Sequence, residues 1–140
     1  DYVSSKTGKL GGRSAAERRD ILRWMFFDNH KVSGVAGVLR FNTNFLPKEK
    51  RNADVNAFLL MRLTSALKIM ETQLEDTPYL AGDALSIADI ACVGYLFYPE
   101  PLGFDRTECP HIDAWMTRIE GTKGFKHPYD LMPGSPADRS

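Results

Sequence analysis

The sequence predicts an all-α protein, a compact helical bundle, and three observations support this class. Apolar residues recur at spacings of three and four, as one face of a helix requires. Residues that favour helix starts precede these stretches, and glycines or prolines follow them. No stretch alternates apolar and polar residues with the period of two that a strand shows. With 140 residues, 43% of them hydrophobic, the chain is long enough to bury a core.

Composition narrows the function classes. Eighteen basic residues balance eighteen acidic ones, so no net charge attracts nucleic acid or an anionic membrane. Two cysteines, Cys92 and Cys109, are too few for a disulfide framework. Cys92 lies in an apolar helical stretch and is expected to be a buried structural thiol. A protein with free thiols fits the reducing cytoplasm. No histidine has the spacing of a metal ligand set, so no metal site is predicted.

The chain opens with what we expect to be the end of an element, residues 1–7, stopped by Gly8. We interpret residues 1–12 as that element and a glycine-rich linker, and residues 13–140 as one helical domain. Ser14 and Glu17 have the spacing of a capping box, in which each side chain bonds to the backbone N–H of the other residue.

The first long helix is predicted to run from this box to about Phe41. Gly34 and Gly37 interrupt it, and each costs about 1 kcal/mol against alanine inside a helix. They indicate a bend or a close approach of another group. The apolar positions extend over more than one side of the helix: Ile21, Leu22, Trp24, Met25, Phe26, Phe27, Val32, Val35, Ala36 and Leu39.

Residues 42–50 are predicted to form a loop, and residues 52–75 a second helix. Its apolar residues form one continuous stripe along the helix. They are Val55, Phe58, Leu59, Leu63, Ala66, Leu67, Met70 and Leu74.

The strongest local signal in the chain is the start of the third helix, predicted over residues 86–98. Ser86 and Asp89 form an acidic capping box, and the Asp89 charge lies at the positive end of the helix dipole. Leu85 and Ile90 have the positions of a hydrophobic staple. Almost no polar residue lies along this helix, which predicts a central, buried element.

A fourth helix is predicted over residues 110–120, with Ile112, Trp115, Met116 and Ile119 as its apolar stripe and Gly121 as its stop. The remainder is a turn-rich tail, because glycines and prolines interrupt it. These residues are Gly124, Pro128, Pro133, Gly134 and Pro136.

Residues 79–90 (YLAGDALSIADI) closely resemble the capping-box and staple segment in the C-terminal helical domain of cytosolic glutathione transferases. Residues 110–119 (PHIDAWMTRI) match the helix that follows this segment in the family. The runs at 24–31 (WMFFDNHK) and 127–133 (HPYDLMP) resemble a bacterial branch. The resemblance extends in order over most of the chain.

The resemblance implies a two-domain, cytoplasmic detoxification enzyme that acts as a homodimer. Its first domain is thioredoxin-like, binds glutathione and carries a catalytic Ser, Tyr or Cys. Glutathione is a co-substrate, and no cofactor is covalently bound. The helical domain binds a small hydrophobic electrophile, which the enzyme conjugates or reduces. This chain has no βαβ pattern, so we expect no catalytic residue in it and no activity from it alone.

The resemblance also implies site residues. It places residues of the electrophile pocket on the first long helix, and the candidates are Asn29, Ser33, Gly37 and Arg40, which can share one side of the helix at spacings of four, four and three. Tyr98 matches a pocket-facing aromatic residue of the bacterial beta class. Asp28 corresponds to the acid that, in some classes, reaches across the dimer to the amine of glutathione.

Each of these assignments has an alternative. Residues 28–31 are equally consistent with a solvated helix face, and Tyr98 with a residue that closes the core. The same helical domain also occurs in translation elongation factors and tRNA-synthetase assemblies. A non-catalytic protein–protein interaction module is therefore the alternative function, and a free-standing helical domain without a ligand is a third.

Overall fold

The computed structural model describes residues 1–131 and confirms the all-α class. Its α-helices are α1 (Tyr2–Thr7), α2 (Ala15–Phe27), α3 (Ser33–Arg40), α4 (Ala53–Asp76), α5 (Ile87–Val93), α6 (Pro110–Glu120) and α7 (Pro128–Leu131). Shorter helical turns lie at Asp28–Val32, Phe41–Phe45, Lys48–Lys50, Gly94–Phe97 and Arg106–Glu108. Within residues 1–131 the β-type pairing is limited to an isolated bridge between Tyr79 and Gly82. The predicted tail breakers Pro133, Gly134 and Pro136, and Met132 of the 127–133 run, lie outside the described residues.

The predicted first long helix is one continuous helical path with a π-helical turn at Asp28–Val32 between α2 and α3. Asp28 holds this wide turn, because its Oδ1 accepts hydrogen bonds from the Ser33 N–H at 3.3 Å and the Ser33 hydroxyl at 2.7 Å. Gly34 permits it, since a Cβ there would lie 2.4 Å from the carbonyl oxygen of Asn29. The glycine therefore allows a close backbone approach.

A second π turn at Phe41–Phe45 extends the helical path beyond the predicted end. The predicted loop at residues 42–50 is therefore wrong in its first half, and Lys48–Lys50 adds a 3₁₀ turn. The side chain of Asn44 holds the extension. Its Nδ2 donates to the Arg40 carbonyl at 3.1 Å and to the Pro101 carbonyl at 3.0 Å.

The Ser14–Glu17 capping box forms only in part. The Ser14 hydroxyl accepts a bond from the Glu17 N–H at 3.1 Å, as predicted. The Glu17 carboxylate, however, accepts from the N–H of Arg13, at 2.8 Å, and not from that of Ser14. Before this box, α1 ends at Gly8 in the left-handed conformation, with a φ of 67°.

The core lies between α4, α5, α6 and the α2–α3 path, and the two tryptophans Trp24 and Trp115 are its largest fully buried side chains. On α4 the predicted stripe is buried from Leu63 to Leu74, but Val55 and Phe58 are exposed. On α2, Phe26 is 73% exposed. Periodicity predicts an apolar face, but not whether this chain covers all of it.

The predicted third helix contains the Ser86–Asp89 capping box, but its α-helical part ends at Val93 and continues as the 3₁₀ turn Gly94–Phe97. Helix ends commonly tighten in this way. The expectation of burial on every side is wrong, because Ile90 is 49% exposed. Leu85 is partly buried, so half of the predicted staple faces outward.

Helix α6 follows its prediction over residues 110–120, and its four stripe residues are buried. Gly121 ends it in the right-handed region, with a φ of −71°, and not as a left-handed cap. The N-terminus of α6 meets α4, where the Glu71 carboxylate accepts bonds from the N–H groups of His111 at 2.8 Å and Ile112 at 2.9 Å.

Candidate functional site

Gly37 and Arg40, near the end of α3, meet the aromatic residues that follow α5. The Arg40 guanidinium carbon lies 3.9 Å from the centre of the Tyr98 ring. A Cβ built on Gly37 would lie 2.8 Å from the hydroxyl oxygen of Tyr95, so the missing side chain admits that phenol. The rings of Tyr95 and Tyr98 are 5.9 Å apart. Three of the predicted site residues thus share one wall.

Arg40 is the centre of a charged network at this wall. Its Nε and Nη2 donate to Oε2 of Glu100 at 3.2 and 3.0 Å, and Nη2 also donates to the Tyr129 hydroxyl at 2.6 Å. The Tyr129 hydroxyl donates in turn to Oε1 of Glu100. The Arg40 and Glu100 side chains are each 15% exposed. The cation is therefore both paired and largely removed from water.

The network shifts the pKa values of Glu100 and Tyr129. Burial alone would raise the pKa of Glu100, but the hydrogen bonds from Tyr129 and Arg40 outweigh it and hold that pKa below its usual value. Burial and the hydrogen bond to Glu100 raise the pKa of Tyr129 to about 12. At neutral pH the wall thus contains a carboxylate, a guanidinium and a protonated phenol.

The last described helix, α7, is attached to this wall through His127. Its Nδ1 accepts a bond from the Tyr129 N–H at 3.2 Å, so Nε2 carries the proton and donates to the Phe97 carbonyl at 2.8 Å. The rings of Tyr98 and Tyr129 lie 5.1 Å apart, and those of Phe97 and Phe125 are also 5.1 Å apart. The segment 125–131 therefore lines the site as well as ending the described chain.

Of the other predicted site residues, Asp28 and Asn29 lie in the π turn Asp28–Val32, and Ser33 follows it. Asp28 is buried, so the solvated-face interpretation is wrong for this residue, although Asn29, His30 and Lys31 are exposed. Burial raises the pKa of Asp28, and the two hydrogen bonds from Ser33 only partly offset this. Ser33 is thus committed to Asp28, and Asn29 points outward from the same turn.

Sequence reasoning missed Tyr95, Glu100 and Tyr129. Tyr95 had a signal, because residues at i and i+3 align in a 3₁₀ turn and it precedes Tyr98 by three positions. Glu100 and Tyr129 had none, since they lie 60 and 89 positions from Arg40.

A cleft of about 170 Å³ opens beside the wall, lined by Tyr95, Tyr98, Glu100, Leu102, Phe104 and Arg106 among others. Within residues 1–131 no group of three His, Cys, Asp or Glu side chains is placed to hold a metal ion. None of the helices in that part of the chain is long and apolar enough to cross a bilayer. The cleft thus combines aromatic rings with the charged side chains of Glu100 and Arg106.

The comparisons with known proteins agree on one family. Residues 39–122 match the glutathione S-transferase C-terminal domain. A glutathione S-transferase from Emericella nidulans is 30% identical over 117 residues, which cover 81% of this chain and 43% of that protein.

Solved structures give the same result. A glutathione S-transferase from Pseudomonas fluorescens superposes with a TM-score of 0.74 at 35% identity, covering 81% of this chain and 57% of that one. The theta class enzyme from Xanthomonas axonopodis pv. citri, solved with glutathione bound, superposes with a TM-score of 0.77 at 25% identity, covering 87% and 65%. The chain spans about half the length of the curated relatives it matches, with 43%, 51% and 54% coverage of three of them. It belongs to the glutathione S-transferase family and contains the C-terminal helical domain of that family.

Proposed function

We propose that this chain is the electrophile-binding and dimerising half of a cytoplasmic glutathione S-transferase. The observation that carries the proposal is the wall formed by Gly37, Arg40 and Tyr98, where Tyr98 also lines the cleft and the Arg40 charge is paired with Glu100. Such a wall positions an apolar electrophile next to a thiolate held elsewhere, and positioning is a large part of the catalysis of a bimolecular reaction.

The thiolate is proposed to form on a thioredoxin-like domain that precedes this half and supplies the activating Ser, Tyr or Cys. The cysteines described here do not suit that role. Burial raises the pKa of the Cys92 thiol, and the carboxylates of Asp28 and Asp89 add to the effect. Burial, with nearby carboxylates, also raises the pKa of Cys109. A thiol with a raised pKa is a poor nucleophile at neutral pH, so residues 1–140 alone are expected to be inactive.

Asp28 is proposed to contact the glutathione of the partner subunit, and Asn29 and Ser33 are proposed to bind the electrophile together with Gly37, Arg40 and Tyr98. Asp28 is suited to accept an ammonium group, because both Ser33 bonds go to Oδ1. Among residues 1–131 its Oδ2 has no hydrogen-bond donor, and a carboxylate oxygen at the surface of a buried turn is an attractive partner for a cation.

Exposed apolar residues on α2, α4 and the second π turn support the proposed homodimer. Phe26, Phe41, Phe58 and Met61 are each more than half exposed. Exposed large apolar side chains that form a contiguous patch are typical of a surface that a partner covers.

The test uses the full-length protein encoded by the gene. It should catalyse a glutathione-dependent reaction with 1-chloro-2,4-dinitrobenzene or with cumene hydroperoxide. Tyr98→Ala removes the ring under Arg40 and should raise the KM for the electrophile about tenfold, because a buried aromatic contact is worth roughly 1.5 kcal/mol. The KM for glutathione should not change.

Ile69→Ala, which truncates an exposed apolar residue on α4, is the matched control and should behave like the wild type. Absence of glutathione-dependent turnover with both substrates would refute the proposed activity. Equal changes in both KM values would refute the proposed location of the electrophile.

A further inference from the structure

The Tyr129 hydroxyl joins three separate parts of the chain. It accepts a bond from Arg40 on the α3 side and donates one to Glu100 in the segment after the 3₁₀ turn. Its own backbone N–H is fixed by His127 at the start of α7. The hydroxyl is therefore the point at which α7, α3 and the 98–101 segment are tied together.

These hydrogen bonds determine how the Arg40 guanidinium lies on the Tyr98 ring. A guanidinium is planar, and fixed hydrogen bonds from its N–H groups set the orientation of that plane. Glu100 and Tyr129 supply those bonds, and the guanidinium then covers the Tyr98 ring at 3.9 Å and the Phe45 ring at 4.9 Å. Without them, a long arginine side chain has several rotamers of similar energy.

Core packing does not account for the hydrogen bonds that join Arg40, Glu100 and Tyr129. None of the residues of α7 is buried, so the helix adds little apolar burial to the fold. Removing the Arg40 and Glu100 charges from water is costly, and apolar side chains commonly fill such positions at equal or better stability. We therefore attribute this largely buried polar network to the substrate wall, against which it holds α7, and not to the packing of the core.

Resting on the proposed function, we propose that Tyr129 is a specificity-determining residue, and Glu100 a positioning residue, for the electrophile. Together they hold Arg40 flat on Tyr98 and hold α7 beside it, and so define how far the pocket extends from the glutathione sulfur. Short S-substituents do not reach this boundary, whereas longer ones contact it. The effect on affinity therefore depends on ligand length.

The experiment measures dissociation constants of S-methylglutathione and S-hexylglutathione for the full-length protein by calorimetry, which needs no turnover. Tyr129→Phe removes the hydroxyl and keeps the ring beside Tyr98. It should weaken S-hexylglutathione about tenfold, because the ligand must then immobilise the Arg40 side chain that the hydroxyl no longer holds, and leave S-methylglutathione unchanged. Glu100→Gln keeps an acceptor oxygen and should give a smaller shift of the same kind.

Tyr79→Phe, which removes a phenol oxygen away from this wall, is the control and should match the wild type for both ligands. An equal loss for both ligands, or no loss for either, in a folded Tyr129→Phe protein would overturn the specificity role while leaving glutathione binding established. Failure of the wild type to bind either ligand would overturn the proposed function itself, and with it this inference.

Discussion

At the scale of single residues, Asp89 accepts hydrogen bonds from three parts of the chain. Its oxygens receive the N–H groups of Leu80 and Ser86 at 2.9 and 2.8 Å, the Ser86 hydroxyl at 2.8 Å and the Trp115 indole at 3.0 Å. The side chain is fully buried. The capping box therefore also joins the loop before α5 to α6.

Asp89→Ala should consequently cost more than the roughly 1 kcal/mol that a helix cap alone contributes. Several buried donors lose their acceptor at once, so the free energy of unfolding should fall by about 3 kcal/mol or more. Urea unfolding measures it. Asp83→Ala, in the exposed loop nearby, should change it by less than about 0.5 kcal/mol. Similar values for the two variants would contradict this account.

For Asp28 we expect the opposite effect on stability, because loss of its charge should stabilise the folded protein at neutral pH. Burial raises the pKa of this carboxyl, so the folded state prefers the protonated form. The contribution of this carboxyl to stability is therefore largest below the unfolded pKa of about 3.9 and is lost as the pH rises through the folded pKa. Asp28→Asn keeps an oxygen acceptor for Ser33 without the charge. It should be more stable than the wild type at pH 7, and this advantage should disappear near pH 3.

Melting temperatures of full-length protein between pH 3 and 8 test this prediction, with Asp83→Asn as the exposed control. In full-length Asp28→Asn the KM for glutathione should also rise, since this variant lacks the carboxylate that is proposed to bind the glutathione amine. Parallel pH curves for Asp28→Asn and wild type would show that burial does not penalise this charge. A gain in stability with loss of affinity is the expected trade-off at a binding residue.

At the scale of elements, the start of α6 depends on α4. Pro110 has no N–H, and Cys109 makes no side-chain cap, so Glu71 satisfies the next two N–H groups. A carboxylate at this position also complements the helix dipole. Sequence reading of α6 alone found the helix but not its cap, because the cap is 40 residues away.

Glu71→Gln retains one acceptor and presents an NH₂ group to the second N–H. We expect a loss of about 1–2 kcal/mol in the free energy of unfolding, from one charge-assisted bond and the dipole interaction. Chemical denaturation compares it with Glu75→Gln, an exposed glutamate on the same helix, which should have almost no effect. An equal loss in both variants would mean that the charge of α4, and not the cap, matters.

At the scale of the whole molecule, the sequence predicted what depends on neighbouring positions. The helix class, the α6 stripe and the Ser86–Asp89 box follow from periodicities and spacings within a few residues. Gly37, Arg40 and Tyr98 lie on one wall, and their role in substrate binding stays a prediction. Contacts between distant positions were not predictable, because periodicity says nothing about which polar groups meet across the core.

The exposed apolar faces show a second limit of prediction from the sequence. Phe26 and Phe58 continue apolar patterns that are buried farther along the same helices, yet both face outward. A hydrophobic pattern predicts that a surface is covered, and the covering group can belong to another domain or subunit. The same pattern therefore predicts the core of a complete protein better than the core of one of its parts.

The π turn at Asp28–Val32 has a consequence for the evolution of the chain. It contains one residue more than an α-helical turn, and each residue rotates a helix by about 100°. The direction in which Gly37 and Arg40 face is therefore set by the number of residues that precede them, whatever their identities. Loss of one residue here would leave a more regular helix but turn Arg40 away from Tyr98. Lineages that keep the pocket are thus expected to tolerate substitution of the exposed His30 and Lys31 more readily than insertions or deletions in this turn.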